Sequence, residues 1–125
     1  MFADTDFILA LLKESDWLKE NAVRLLRENK GKIRTSSSVM IEVAIVCKRL
    51  GISITAAFAN ALELVAVDEA THHACLTAAF YVERYGLNVF DSFNAAYCGT
   101  ERIISSDSAY EKVGIVRVKL ENHGG

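Results

Sequence analysis

The chain has 125 residues, of which 51% are hydrophobic, and its formal net charge is −2. This length fits one domain, and the hydrophobic content excludes an intrinsically disordered chain. The weak negative charge argues against a domain that holds nucleic acid by a bulk positive field, because such domains are strongly basic. A polyanion would have to be held locally, by a basic patch or by bound cations.

Neither a targeting segment nor a membrane span is expected. The N-terminus carries acid where a signal peptide carries base, and no apolar run approaches the ~18 residues of a span. The cysteines Cys47, Cys75 and Cys98 are widely spaced without a CxxC motif. We expect all three to be buried small hydrophobic residues, in a soluble protein of the reducing cytoplasm.

Apolar spacing and turn residues predict short strands alternating with helices in the first half of the chain. Ser36-Ser37-Ser38 is a turn or helix-capping cluster, and Gly51 ends the helix that follows it. The predicted elements are a strand 1–3, a helix 6–12, a helix opening at Ser15-Asp16, a strand 32–35, a helix 39–50 and a shorter helix 55–64.

The second half continues this alternation. Its predicted elements are a strand 64–67, a helix opening at Asp68 or Thr71 and reaching Tyr85, a helix opening at Asp91, a strand 102–105, a helical turn 107–112 and a strand 115–118. Residues 121–125 are expected to be a loose tail. Short strands that are apolar on both faces indicate an α/β fold, with a parallel sheet of four to five strands flanked by helices in one domain, 1–125.

Acidic residues follow several of the predicted strands. Asp4 follows the first strand, Asp107 follows Ile103-Ile104 after two serines, and Asp91 lies beyond Phe90. Ligands of parallel α/β sheets bind at the carboxyl ends of the strands, so these acids are candidate site residues. Asp91 and Asp107 also fit helix N-caps, which is the commoner role of an Asp after a strand. Asp68 is interpreted as a cap.

Glu42 is the single carboxylate in the apolar segment 39–47. Ile45 and Val46 fall on its side of the helix, so this stripe is not expected to be freely solvated. A buried carboxylate needs compensation. Either Arg49 or a metal ion could supply it.

Other polar residues carry weaker signals. His72 and His73 are adjacent and point to different helix faces, so they cannot chelate one ion. No P-loop, GxGxxG or GxSxG motif occurs in the sequence. The basic stretch from Lys19 to Arg34 is either a solvated helix face or a surface that steers a phosphate backbone.

The acids and their neighbours occur in an order that is similar to the PIN domain family, most closely to its small prokaryotic VapC-like toxins. The segments that carry the resemblance are Asp4-Thr5-Asp6, helical Glu42 after a serine-rich turn, Asp91-x-x-x-Ala95-Ala96, and Ser105-x-Asp107 after an apolar strand. The resemblance covers nearly the whole chain.

This resemblance implies a three-layer PIN-like fold and cleavage of RNA, as an endonuclease that depends on Mg²⁺ or Mn²⁺. It implies an acidic quartet of Asp4, Glu42, Asp91 and Asp107, which would bind the metal. Thr5 and Ser105 would hold carboxylates by hydrogen bonds, and Asp6, where Asn or Ser is common, would add negative charge. An antitoxin protein and a homodimer are the implied protein partners.

Charge repulsion supports a metal site independently of the family. Two like charges 4 Å apart repel by about 4 kcal/mol at an effective dielectric constant of ~20, so four carboxylates in one pocket need cations. Hard oxygen ligands select Mg²⁺ or Mn²⁺.

Two alternatives remain open at this point. A PIN-like domain could be a catalytically silent module that binds RNA or protein. Asp4-Thr5-Asp6 also resembles the DxD motif of haloacid-dehalogenase-like phosphatases, with Asp4 as nucleophile and Asp6 as general acid. The chain is short for that fold, and the Gly-Thr that follows such a motif is missing.

Overall fold

The computed structural model describes residues 1–69 and 71–121. Within these residues five strands form one parallel sheet in the order β3-β2-β1-β4-β5. The strands are β1 Phe2–Ala3, β2 Arg34–Ser36, β3 Ala66–Asp68, β4 Ile103–Ser105 and β5 Arg117–Lys119. The predicted α/β fold with a short parallel sheet is confirmed.

Helices connect the strands and flank the sheet. In the described part of the chain they are α1 Thr5–Leu12, α2 Lys19–Glu28, α3 Ser37–Leu50, α4 Ile54–Leu64, α5 His72–Tyr85 and α6 Val89–Cys98, with a 3₁₀ helix at Ser108–Val113. None of these helices is long and apolar enough to cross a membrane.

The centre of the sheet positions the candidate site. β1 lies between β2 and β4, and its residues Phe2 and Ala3 are fully buried beside Ile103 and Ile104 of β4. The chain builds β2 and β3 on one side of β1 and then crosses to build β4 and β5 on the other. In parallel α/β sheets ligands bind where the direction of strand addition changes, which here is at the carboxyl ends of β1 and β4.

The helix α3 begins two residues earlier than predicted because Ser36 caps it. The Ser36 hydroxyl accepts a hydrogen bond from the backbone N–H of Val39, as expected of an N-cap. Gly51 ends this helix at φ 72°, a left-handed conformation that glycine adopts without a steric penalty.

Asp68 does not cap a helix, so that interpretation is wrong. Thr71 caps α5 by accepting a hydrogen bond from the N–H of Ala74. Asp68 is instead the last residue of β3, and its carboxylate pairs with Arg34 at 2.7 Å.

Asp91 is likewise not an N-cap, and this correction matters for the site. Asn88 caps α6, and its side-chain oxygen accepts a hydrogen bond from the Asp91 N–H at 2.8 Å. Asp91 lies in the first turn of the helix, so its carboxylate is available for other contacts. Asp107 does cap the 3₁₀ helix, since it accepts a hydrogen bond from the N–H of Ala109.

Two further expectations are settled in part. Cys47 and Cys98 are buried as predicted, but Cys75 on α5 is exposed, so the prediction for that cysteine is wrong. Glu121 forms an ion pair with Arg117 at 2.8 Å. The rest of the expected loose tail, 122–125, lies outside the described residues.

Candidate active site

Asp4 lies at the carboxyl end of the central strand and caps α1. Its Oδ1 accepts hydrogen bonds from the backbone N–H of Thr5 at 2.8 Å and from the Tyr110 hydroxyl at 3.0 Å. Its Oδ2 accepts one from the Ser105 hydroxyl at 2.7 Å. The side chain is therefore buried and held in one orientation by groups from three elements.

Asp91 approaches Asp4 from α6. Its Oδ1 accepts a hydrogen bond from the Tyr110 hydroxyl at 3.1 Å, and its Oδ2 accepts one from the Asn88 side-chain amide at 2.9 Å. Residue Asp91 is 9% exposed. Tyr110 thus links the carboxylates of Asp4 and Asp91 through one hydroxyl.

Glu42 approaches from α3 and is half-buried. Its Oε1 accepts hydrogen bonds from the Thr5 hydroxyl at 2.9 Å and from the Asn94 side-chain amide at 3.1 Å. Neutral donors therefore contact Glu42, and no ion pair with Arg49 occurs among the contacts of the described chain. Ile45, expected to lie on a poorly solvated stripe, is 51% exposed.

The buried side chain of Asn94 contacts both Asp4 and Glu42. Its amide nitrogen lies 3.2 Å from Asp4 Oδ1 and 3.3 Å from the Tyr110 hydroxyl, besides its contact with Glu42. Its amide oxygen accepts a hydrogen bond from the Ser38 hydroxyl, which lies 2.7 Å from the Ser36 hydroxyl. Asn94 and Ser36 are fully buried, so this is an internal polar network and not a solvated surface.

The electrostatics of the buried acids differ from those of free carboxylates. Burial, helped by the charge of Asp6, raises the pKa of Asp4 to about 7 although Ser105 donates to it. Burial, helped by the charge of Asp107, raises the pKa of Asp91 to about 6. Burial raises the pKa of Tyr110 far above its ordinary value, so its hydroxyl remains protonated and acts as a donor.

Asp107 and Ser105 lie where the chain leaves β4. Ser105 is fully buried. Its hydroxyl accepts a hydrogen bond from the backbone N–H of Asp107 at 3.0 Å and donates one to Asp4. Asp107 is exposed at the rim of the cluster. Its negative charge helps to raise the pKa of Asp91. Among the contacts of the described chain, no hydrogen bond joins Asp107 to Asp4.

Asp6 faces Ser106 instead of sharing partners with Asp4. Its Oδ2 accepts hydrogen bonds from both the backbone N–H and the hydroxyl of Ser106. Its Oδ1 is buried and has no hydrogen-bond partner. Burial raises the pKa of Asp6, against the effect of the Ser106 hydrogen bonds.

No ion pair within the described ranges involves Asp4, Asp6, Glu42, Asp91 or Asp107. The carboxylates are bridged by Tyr110 and Asn94, and no three acidic, His or Cys side chains of the described chain already form a metal-holding group. The donor set is nevertheless the hard oxygen chemistry that Mg²⁺ and Mn²⁺ require, and one buried oxygen, Asp6 Oδ1, is unsatisfied. The residues present therefore supply the ligand chemistry that such an ion requires.

The basic stretch does not form one surface beside the acids. Arg34 is part of a separate ion-pair cluster with Asp68 and Glu101. Lys19 donates to the carbonyl of Leu11, where it covers the end of α1. A groove beside α2 has a mixed lining of basic residues, Lys19, Arg24 and Arg27, and acidic residues, Glu14, Asp16 and Glu20.

Sequence reasoning missed Tyr110, Asn88 and Asn94 as members of the site. Asn88 precedes Asp91 by three residues, a spacing that marks an N-cap and its first-turn partner and could have been recognised. Tyr110 follows Asp107 by three residues, but nothing local shows that its hydroxyl reaches Asp4 and Asp91.

Comparison with known proteins identifies the fold and its relatives. The family model described as PIN domain matches residues 1–116. VapC20 from Mycobacterium tuberculosis, whose structure is described as that of a sarcin-ricin loop cleaving toxin, is 24% identical to this chain. The two structures superpose with a TM-score of 0.82, and the match covers 94% of this chain and 98% of VapC20.

Two further solved structures share the fold. A toxin-antitoxin complex from Klebsiella pneumoniae is 14% identical with a TM-score of 0.75, covering 95% of this chain and 96% of that chain. FitAcB from Neisseria gonorrhoeae is 16% identical with a TM-score of 0.63, and the match covers 98% of this chain and 99% of that chain. Comparison with curated protein sequences found no significant match.

Proposed function

This chain belongs to the PIN domain family, and from that membership and its site we propose that it is a divalent-metal-dependent endoribonuclease of the toxin type. Its relatives by fold include the toxin VapC20 and a toxin-antitoxin complex. The proposal adds what those likenesses leave open, namely the reaction, the metal ion and the residues that carry them.

One observation carries the proposal. Three carboxylates from positions 4, 42 and 91 are drawn into one buried hydrogen-bond network at the carboxyl end of the central strand, with no cation of the described chain paired to them. Buried acids with raised pKa values, as Asp4 and Asp91 have, are costly to a fold that uses them only for stability. Such an arrangement favours a site that receives a cation and a phosphate.

We assign the metal-binding role to Asp4, Glu42, Asp91 and Asp107. A bound Mg²⁺ or Mn²⁺ ion would place positive charge against the phosphodiester and make a water molecule more acidic. Ser105 holds Asp4, and Thr5 holds Glu42, so both hydroxyls orient carboxylates toward the ion. Asp6 adds negative charge next to Asp4 without sharing its partners.

The raised pKa values make the proposed cation binding depend on pH. Asp4 and Asp91 must be ionised to bind a cation, and their pKa values are about 7 and about 6 before the ion binds. Cation binding therefore displaces protons and strengthens as the pH rises through this range. At neutral pH the metal-free site remains partly protonated.

The substrate and partner proposals follow the same line. RNA is the proposed substrate, cut in the cytoplasm, and an antitoxin protein is the proposed regulator. A homodimer is also proposed, supported by large apolar side chains that are exposed on two helices, Ile41 and Ile45 on α3 and Leu76 and Phe80 on α5. Sedimentation equilibrium of the purified chain tests the dimer.

Cleavage of defined RNAs with Mn²⁺ and with EDTA tests the activity, and calorimetric titration with Mn²⁺ tests the metal. An RNA hairpin with a sarcin-ricin loop sequence is a suitable first substrate beside an unstructured RNA. We expect cleavage with Mn²⁺ that EDTA stops. Absence of Mn²⁺ binding would contradict the proposal and support the alternative of a catalytically silent binding module.

A further inference from the structure

We propose that Tyr110 is a positioning residue that sets the spacing between Asp4 and Asp91 for the incoming metal ion. This inference rests on the proposed function, because it concerns the same carboxylates. It assigns to the Tyr110 hydroxyl a role that the acidic residues cannot fill themselves.

The geometry places the hydroxyl between the two acids. It lies 3.0 Å from Asp4 Oδ1 and 3.1 Å from Asp91 Oδ1, and the side-chain amide of Asn94 lies 3.3 Å from it. Asp4 comes from the end of β1, Asp91 from α6, and Tyr110 from the 3₁₀ helix. One atom thus connects three elements at the point where they meet.

A hydroxyl has a single hydrogen to donate and can also accept. Tyr110 accepts from Asn94, so its own hydrogen is directed at the two carboxylate oxygens. Two carboxylates that face each other repel, and a donor placed between them reduces this repulsion and fixes their separation. The two Oδ1 atoms are therefore held within reach of one hydroxyl instead of turning apart.

Packing alone does not account for a tyrosine here. The residue is fully buried, so its ring fills the core beneath the 3₁₀ helix. A phenylalanine ring would occupy the same space, whereas a buried hydroxyl adds a desolvation cost unless it forms hydrogen bonds. The hydroxyl is placed where its hydrogen bonds join the two acids.

Mg²⁺ accepts little deviation from octahedral geometry, with ligand oxygens ~2.1 Å from the ion. Carboxylates whose separation is restricted before the ion arrives lose less rotamer freedom when it binds. Loss of the Tyr110 hydroxyl would therefore weaken metal binding, and saturating Mn²⁺ should overcome this loss.

The test is Tyr110→Phe, which retains the ring and removes the hydroxyl. Partners behind metal ligands are typically worth ten- to a hundredfold in affinity, so we expect the Kd for Mn²⁺, measured by calorimetry, to rise by about tenfold or more. We expect kcat to recover at high Mn²⁺ concentration, with the KM for RNA unchanged. Thermal unfolding in EDTA checks that the variant folds.

Tyr97→Phe is the matched control. Tyr97 lies on α6 and is 9% exposed, and its hydroxyl makes none of the contacts that join the acids. We expect this control to bind Mn²⁺ like the wild type. A purely structural role for Tyr110 would lower the unfolding temperature without a metal-dependent loss of activity.

Two outcomes are distinguishable. Wild-type protein that binds Mn²⁺, with a Tyr110→Phe variant that binds it equally well or more tightly, would overturn the positioning role and leave the proposed function intact. Wild-type protein that binds no Mn²⁺ would overturn the proposed function, and this inference with it.

Discussion

Two groups of carboxylates in this molecule differ in what compensates their negative charge. The Arg34 cluster, formed by Arg34, Asp68 and Glu101, neutralises its acids with a guanidinium, and Arg34 also donates to the carbonyl of Tyr97 at 2.8 Å. The acid cluster, formed by Asp4, Glu42 and Asp91, is held by hydroxyl and amide donors without any ion pair among the described residues.

The pKa values record this difference. A hydrogen bond from the N-terminal ammonium group, assisted by Arg34, lowers the pKa of Glu101 despite its partial burial. Burial raises the pKa of Asp4 to about 7. Paired acids stabilise the fold at neutral pH, whereas unpaired buried acids destabilise it until a cation arrives. The same residue types therefore stabilise the fold in one cluster and are proposed to bind a metal ion in the other.

The sharpest way to break this comparison is to neutralise one acid in each cluster. Asp4→Asn should abolish RNA cleavage while the protein stays folded, since it removes a proposed metal ligand and keeps the side-chain shape. Asp68→Asn should leave cleavage unchanged. Cleavage rates and circular dichroism are the measurements, and an active Asp4→Asn enzyme would remove Asp4 from the site.

The pH dependence of stability should come next in size. Asp4 has an unfolded pKa near 3.8 and a folded pKa of about 7, so the folded state binds its proton more tightly. The stability from this protonation is complete below pH 3.8 and is lost as the pH rises through 7. Between pH 5 and 8 in EDTA, deprotonation of this group alone should lower the free energy of unfolding by about 3 kcal/mol.

Urea unfolding at the two pH values measures this loss. Asp4→Asn lacks the titrating group, so its unfolding free energy should fall less between pH 5 and 8 than that of the wild type. Mn²⁺ should restore the wild type at pH 8, because binding favours the ionised folded form. An equally steep fall in the variant would show that Asp4 does not carry the effect.

The Arg34 cluster should respond in stability and not in metal binding. Arg34→Met leaves Asp68 and Glu101 without their guanidinium and removes donors to buried carbonyls. These acids are partly exposed, so we expect a loss of about 2 kcal/mol in unfolding free energy. Mn²⁺ affinity should not change.

Arg24→Met is a suitable control for that measurement. Arg24 forms an exposed pair with Glu28 one helical turn away at 3.2 Å. Exposed pairs of this kind are worth about 0.5 kcal/mol or less. If both variants lost the same stability, the Arg34 cluster would have no special role in the fold.

The smallest expected effect tests how firmly Glu42 is held. Thr5→Val removes the hydroxyl that donates to Glu42 Oε1, but the contact with Asn94 remains. We expect about a tenfold weaker Mn²⁺ affinity, at the low end for partners behind metal ligands. Thr5→Ser retains a hydroxyl and should behave as wild type, and a calorimetric titration that separates neither variant from the parent would argue against this contact.

Local patterns predicted the fold well because its signals are local. The apolar strand residues, the Ser36 cap and Gly51 each act within one or two turns of chain, so the alternation of elements was readable. Cys75 shows the limit of this reasoning. Its apolar sequence neighbours suggested burial, but it lies on an exposed side of α5.

The candidate site could be predicted from the sequence only in part. Asp4, Glu42 and Asp91 could be singled out because acids after strands or within apolar helices are unusual. The predictions for Asp68 and Asp91 were wrong because another residue three positions away caps the helix in each case. Thr71 caps α5 and Asn88 caps α6. The contacts of Tyr110 with residues 19 and 106 positions away depend on tertiary packing, which no local pattern reports.

The pairing of β1 with β4 has a consequence for synthesis of the chain. The central strand is made first, yet its neighbour Ile103 is translated about a hundred residues after Phe2. Contacts so distant in sequence close late during folding. A nascent chain that ends at β3 lacks Ser105, Asp107 and Tyr110, so the proposed site stays incomplete until β4 and the 3₁₀ helix have been translated.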